Sequence, residues 1–503
     1  MKVVFALFDS LNRLALEPYG GTRIETPNFK RLAARSTTFD RHYVGSLPCM
    51  PARRDMHTGR LNFLHRSWGP IEPYDNSFAE ILAGSGVYSH LVTDHFHYFE
   101  DGGFTYHNRY DSYDFIRGQE GDRWKAMVQP HWDRLREMYH ARQFSDQRRT
   151  YFGHNLINRE FIREEQDFPS VKCFAAAMEF LDRNRDADNW LLHLETFDPH
   201  EPFTAPARFK DKFKTGWNGP IRDWPRYGRV DELPEECEEL RANYYAVLSL
   251  CDFLLGQLLD YFDEHDLWKD TALIVSTDHG FLLGEHDFWA KNRMNMYEEI
   301  VHIPLFFHHP DHAGGSRRRA LTQTIDFPAT FYDLFGAKAP AEMQGKSLLP
   351  LLTADAEHRK AALFGYFGGA VNVTDGRWTY HRYPPDLKTQ EIYQYTLMPT
   401  HIKEMFSVEE LVGATLAEPF PFTKNVPLLK VPVIERSPMN NYYGPGVMIE
   451  NDTRLYDLAT DPGQEHPSGD AAAENAMARL MRELMLANDC PPEALARIGL
   501  DAV

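Results

Sequence analysis

Four acids lie directly after short apolar runs: Asp9 after VVFALF, Asp94 after VYSHLVT, Asp198 after LLHLETF and Asp278 after ALIVST. Three of them come with imidazoles, as Asp94-His95-Phe96-His97, Asp198-Pro199-His200 and Asp278-His279-Gly280. A single acid after a strand is ordinarily a turn or capping residue. Four on one rim read as a site, because open α/β sheets bind ligands beyond the carboxyl ends of their strands. Carboxylates with one imidazole suit a divalent cation, and Asp9, Asp278 and His279 are the candidate ligands. All-oxygen coordination indicates Ca²⁺ or Mg²⁺, whereas an imidazole admits Mn²⁺ or Zn²⁺. The loop continues as FLLGEHDFWAKN, in which Glu285 and His286 read as a turn network. Lys291 is open between a solvated lysine and a site cation.

A second stretch, CMPARRDMHTGR at 49–60, sets a lone cysteine between Pro48 and Pro51 at a helix start. Free N–H groups and the helix dipole favour negative charge there. Arg53 lies one turn on, on the same face as Cys49. The pair is either a buried thiol beside an arginine or a nucleophile at a site for an anion such as sulfate or phosphate.

The elements that must position these residues are strands covered on both faces: 3–8, 87–92, 189–197, 271–277 and 303–308. Helices are expected after Thr26-Pro27 and over 171–184 and 240–262. From about residue 365 the texture becomes short-stranded, with a DG turn in GYFGGAVNVTDGRWTYHRYP and a later TRLYDLATDPG. The fold class is therefore α/β, with a catalytic domain over 1–365 and a smaller α+β domain over 366–503 built on an antiparallel sheet. Residues 384–445, rich in Pro, Tyr and Thr without periodicity, read as an irregular insertion that covers the site or a partner. AENAMARLMRELMLAN makes a last helix.

The chain has 503 residues and a net charge of −19, spread along its length. That argues against nucleic-acid binding, while a few local cations or a metal still allow an anionic substrate. Five scattered cysteines without a CxxC fit a reducing compartment. The N-terminal apolar run is too short for a signal core or membrane span, so a cytoplasmic protein without a membrane partner is expected.

Cys49-Met50-Pro51-Ala52-Arg53 followed by Thr58-Gly59-Arg60 resembles the CxPxR…TG signature of type I sulfatases. The resemblance runs on through Asp9, FDPHEPF, STDHG, GEHDFWAK, MYEEIVHIPL, TIDFPATFYDLFG and RLYDLATDPGQ, over roughly 1–380 and 450–465. It implies an alkaline-phosphatase-like sandwich: a large mixed central sheet flanked by helices, with a small C-terminal antiparallel sheet domain. It departs from the usual pattern at Ser10, where a second acid is common, and at TDHFH, where GKWH is familiar. His95 or His97 then stands in for the missing lysine. Asp278-His279 and the 384–445 insertion resemble the arylsulfatase and phosphonate monoester hydrolase branch, often promiscuous and multimeric.

The resemblance also implies a mechanism. A maturation enzyme converts Cys49 to formylglycine (3-oxoalanine), whose hydrate attacks the sulfur of a small sulfate ester and then expels sulfate. Asp9, Asp278, His279 and residue 49 hold one divalent ion, Ca²⁺ or Mn²⁺ before Zn²⁺ or Mg²⁺. Arg53 orients the nucleophile, and His200 and Lys291 contact the ester and protonate the leaving group. A phosphonate monoester or phosphodiester hydrolase is the alternative, and a silent anion- or metal-binding protein with unmodified Cys49 the third reading. A homo-oligomer, dimer or tetramer, is expected.

Overall fold

The computed structural model describes residues 1–438 and 444–501. Its centre is an eight-stranded sheet of β1 (Lys2–Phe8), β2 (Thr37–Tyr43), β3 (Tyr88–Thr93), β4 (Ser112–Phe115), β5 (Trp190–Thr196), β6 (Thr271–Thr277), β7 (His302–His308) and β8 (Ser316–Gln323). The spatial order is β8-β2-β7-β6-β1-β5-β3-β4. Only β7 runs against its neighbours, pairing antiparallel with both β2 and β6. The five apolar runs of the sequence are β1, β3, β5, β6 and β7, and they occupy the middle of the sheet.

Alternation along these strands feeds two cores. Val4, Ala6, Phe8, Leu192, Leu194, Leu273 and Val275 face one side. Val3, Phe5, Leu7, Leu191, Ala272 and Ile274 face the other. Helices α1 (Pro27–Arg35), α4 (Pro169–Asn184) and α5 (Pro234–Glu264) cover the first face. Helices α2 (Cys49–Thr58), α3 (Phe78–Gly84) and α6 (Asp326–Phe335) cover the second. By length and composition α5 could cross a membrane, but most of it is buried against the sheet. Thr26 precedes α1 as expected, yet its hydroxyl accepts from the N–H of Glu17 instead of capping the helix. Asp252 of α5 takes that role, accepting from the N–H groups of Asn28 and Phe29 at 3.0 Å each.

The second sheet joins β9 (Ala362–Tyr366), β10 (Val371–Thr374), β11 (Trp378–Arg382) and β15 (Arg454–Asp457), with helix α7 (Ala471–Ala487) packed on it. Gly376, at φ 85°, makes the turn between β10 and β11. The boundary expected at 365/366 falls inside β9, and the sheet takes a further edge from Ser46–Leu47, three residues before α2. Residues 384–445 differ from the irregular segment expected. They form a three-stranded antiparallel sheet of β12 (Tyr393–Thr396), β13 (Thr415–Ala417) and β14 (Leu428–Pro432). Strands of three to five residues are too short to show a period in sequence. Residues 439–443 of this segment lie outside the described residues.

Candidate active site

Register places the acids. Phe8 lies opposite Thr277 on one side and Thr196 on the other. Asp9 and Asp278, the next residues of adjacent parallel strands, therefore leave the sheet at one level. Helix α2 starts at Cys49 itself, with Pro48 as the preceding cap residue. Its seat is fixed by Asp55, which accepts from the N–H and hydroxyl of Ser46 and from the N–H and side-chain amide of Asn62. Gly59 ends the helix at φ 68°, where a Cβ would approach Met343 to 2.5 Å. This explains the glycine of the Thr58-Gly59 pair.

Arg53 is 1% exposed and meets three carboxylates. Its Nη2 donates to Asp9 at 2.9 Å, its Nη1 to Asp278 at 2.6 Å and its Nε to Glu195. Nη1 also donates to the carbonyl oxygen of Cys49 at 2.9 Å, so the same guanidinium aligns the acids and the helix start. Burial alone would raise Asp9, but the Arg53 guanidinium above all holds its carboxyl well below the usual range. Burial raises Glu195 despite its pairing with Arg53. Burial, reinforced by the Asp9 carboxylate, pushes the Cys49 thiol well up, so the unmodified side chain is a neutral thiol at neutral pH.

Around Cys49, His279 Nε2 lies 3.2 Å from Sγ and Lys291 Nζ 3.6 Å from it. The Nδ1–H of His279 is given to the carbonyl of Gly280 at 2.9 Å, which leaves Nε2 as the electron-pair donor. Burial keeps this imidazole neutral. Lys291 also donates to Ser10 Oγ at 2.9 Å, and Ser10 donates to Asp9 at 2.8 Å. Burial opposes the ammonium of Lys291, but the neighbouring acids, Asp9 and Asp278 among them, raise it, so it stays charged. Ser10 sits at φ 61°, an uncommon conformation for a residue with a side chain, and its N–H donates to Asp278 at 3.2 Å.

The donor atoms of Asp9, Cys49, Asp278 and His279 all lie within 4.8 Å of one another, and all four residues are buried. That spread matches ligands around one cation with bonds of about 2.3–2.6 Å. His95 gives an independent sign: it is fully buried, neither ring nitrogen has a hydrogen-bond partner, and Nε2 faces Asp9 at 3.6 Å. The charges agree as well. Around Arg53 and Lys291, three carboxylates outnumber the cations by one. A divalent ion turns that excess into one positive charge, which a singly charged ester anion neutralises. The residues fit a divalent cation.

The structure thus gathers Asp9, Cys49, Arg53, Asp278, His279, Lys291 and His95 at one point, with His200 in the same electrostatic neighbourhood. His200 gives its Nδ1–H to the backbone oxygen of Glu201 at 2.7 Å. His97 stands farther out, with Nδ1 on Glu100 at 2.6 Å, so His95 is the histidine that meets Asp9. The two other strand-end acids do not join the cluster. Asp94 accepts from the N–H of Phe197, and Asp198 from Gln119 and Ser170. Glu285 and His286 form the turn network expected: Glu285 accepts from the N–H of Leu283, and His286 stacks on Tyr297. Glu195 was missed, although an acid inside the buried run LLHLETF was the signal for it.

This fold and this centre define a hydrolase of the alkaline-phosphatase type acting on esters of an oxyanion. A sulfatase family model matches residues 2–337, and a model of the N-sulphoglucosamine sulphohydrolase C-terminal region matches 284–414. The chain belongs to the sulfatase family and is a sulfuric ester hydrolase. An N-acetylglucosamine-6-O-sulfatase of Bacteroides thetaiotaomicron is 23% identical over 416 residues, 73% of this chain and 74% of its own length. A choline-sulfatase of Rhizobium meliloti is 25% identical over 418 residues, 75% of this chain and 77% of its own. Among solved structures, a phosphonate monoester hydrolase of Agrobacterium radiobacter superposes with a TM-score of 0.65 at 17% identity, covering 97% of this chain and 96% of that one. The family implies a metal ion and a formylglycine made from cysteine.

Proposed function

We propose that the protein hydrolyses alkyl or aryl sulfate monoesters with formylglycine at position 49 as the nucleophile. The observation that carries this reading is the placement of the Cys49 side chain within one cation's reach of Asp9, Asp278 and His279. When bound, the divalent ion supplies Lewis-acid charge that acidifies the attacking hydroxyl and polarises an ester oxygen. The imidazole in the donor set favours Mn²⁺ over Ca²⁺. Arg53 fixes Asp9 and Asp278 from below and holds the carbonyl of residue 49, so the nucleophile does not reorient during reaction. Lys291 Nζ carries positive charge and a proton beside residue 49, suiting it to bind the ester oxygens and protonate the leaving group. His200 is held neutral by burial and by Lys291, so it accepts at Nε2 until substrate charge lifts its basicity. His95 offers its unpartnered ring to the ester.

This reading calls for a maturation enzyme as partner, because a thiol nucleophile cannot form the hydrate whose second hydroxyl expels sulfate. The charge count admits a second reading, since phosphonate monoesters and phosphodiesters are also single anions. Intact-protein mass spectrometry after co-expression with a maturation enzyme should show a loss of about 18 Da at residue 49, thiol to aldehyde. 4-Nitrophenyl sulfate, a 4-nitrophenyl phosphonate ester and a nitrophenyl phosphodiester then rank the two readings by kcat/KM. Cys49→Ala should lower all activities by about 10⁴-fold or more. An unmodified Cys49 with background turnover on all three probes sinks both.

A further inference from the structure

Beside the candidate cation cluster lie acids that the proposed reaction does not use. Glu201, next to His200, is 1% exposed. Its Oε1 accepts from the hydroxyl of Tyr227, while Oε2 has no hydrogen-bond partner. Nδ1 of His200 lies 3.2 Å from that oxygen, but its proton is directed to the backbone oxygen of Glu201. Glu120 is 9% exposed, and its Oε2 is also without a hydrogen-bond partner. It is held at φ 45°, a strained conformation for glutamate.

These two carboxyls sit between the reaction centre and the insertion. Glu120 feels Glu201 and Lys291 on one side, and Glu100 and Lys403 on the other. Tyr227 feels Glu201, Cys49 and Glu120 together. Lys403 comes from the insertion and lies over the rings of Tyr151 at 4.4 Å and Trp68 at 5.2 Å. The insertion is anchored there by the carbonyl of Ile402, which accepts from the N–H of Gly102 at 2.8 Å. Burial raises Glu201 to about 7 and Glu120 to about 8, and a ligand that donates to their free oxygens would offset the cost of the carboxylate form.

A buried carboxylate oxygen without a donor is costly to leave unpaired. Sites with such acceptors strongly discriminate against ligands that lack the donor. We propose that Glu120 and Glu201 form the leaving-group subsite, specific for an alcohol whose skeleton bears further hydrogen-bond donors. Those donors are hydroxyls, as on a sugar, or a primary ammonium. The inference rests on the sulfate-ester reading and adds which part of the ester is recognised and by which residues.

The test pairs esters that differ only in donors, using matured protein. Glucose 6-sulfate is set against cyclohexylmethyl sulfate, and 2-aminoethyl sulfate against choline sulfate, its trimethylated counterpart without N–H. At least one donor-bearing ester should exceed its counterpart tenfold or more in kcat/KM. Glu120→Met and Glu201→Met should collapse that ratio at least fivefold. Because the ratio is taken within one preparation, a loss of folded or matured protein cancels. Glu120→Gln and Glu201→Gln keep the shape: a retained ratio identifies hydroxyl donors, and a lost one an ammonium. A wild-type ratio near one, or one unchanged in both Met variants, overturns the subsite while 4-nitrophenyl sulfate turnover leaves the sulfatase reading standing. Matured protein that cleaves no sulfate ester at all fails both.

Discussion

Arg53 and Glu120 are both buried ionisable residues, and their surroundings are opposite. Every side of Arg53 is met by a partner from the fold: Asp9, Asp278, Glu195 and the carbonyl of Cys49. Glu120 keeps a carboxyl oxygen with no hydrogen-bond partner. Three partners of Arg53 come from strand ends or the strand interior, and the fourth from the helix start they face. Glu120 lies in a turn between elements, and the nearest cation of the insertion is Lys403. The reaction centre is thus closed on itself, whereas the recognition side is left incomplete.

This contrast can be broken at several points. The largest effect is expected at Arg53, where Arg53→Met strands three buried carboxylates. Removing one partner of a buried ion network costs about 3–5 kcal/mol, so the urea midpoint should fall sharply and turnover should vanish. A variant of wild-type stability would show that the network does not hold the centre together. Next is Asp278→Asn, which keeps the shape but removes a charged ligand. Metal affinity, measured by mass spectrometry of the element after dialysis, should fall by more than the roughly 10–100-fold typical of losing an outer-shell partner. Unchanged metal content would move the cation elsewhere.

The smallest effect concerns the incomplete side. Because burial raises Glu201 to about 7, the folded protein holds a proton there that the unfolded chain releases near the ordinary glutamate value. Its contribution is fully favourable below that value and is lost as pH rises from about 4.5 to about 7. Glu201→Gln should therefore flatten the fall in unfolding free energy across this window, measured by urea titration at several pH values. A parallel pH profile for the variant would contradict a protonated buried carboxyl at this position.

The closed half of the site was the legible half. Asp9 and Asp278 follow short, continuous apolar runs, and adjacent parallel strands in register must bring such residues together. The CMPAR stretch marks the start of helix α2 in the same way. Asp94 and Asp198 carry the same local signature, but their backbone and side-chain donors absorb them, and no spacing in the sequence distinguishes the two cases. Strands β2 (TTFDRHY) and β8 (SRRRALTQ) were not visible, because β8 is an edge strand with exposed arginines and β2, beside it, has a polar centre. Glu120 and Glu201 were silent for a related reason. Their significance is the lack of a donor, and a missing partner leaves no pattern of residue types.

The short edge at Ser46–Leu47 has a consequence in time. It gives the segment leading into the nucleophile's helix a hydrogen-bonded neighbour, β9, made about 300 residues later. At about 5–20 residues per second, a ribosome needs roughly fifteen seconds to a minute to cover that distance. In the finished protein residue 49 is 3% exposed. On the proposed formylglycine reading, conversion of this buried residue belongs to the interval before the chain closes over it, and synthesis rate then bears on how many molecules leave the ribosome competent.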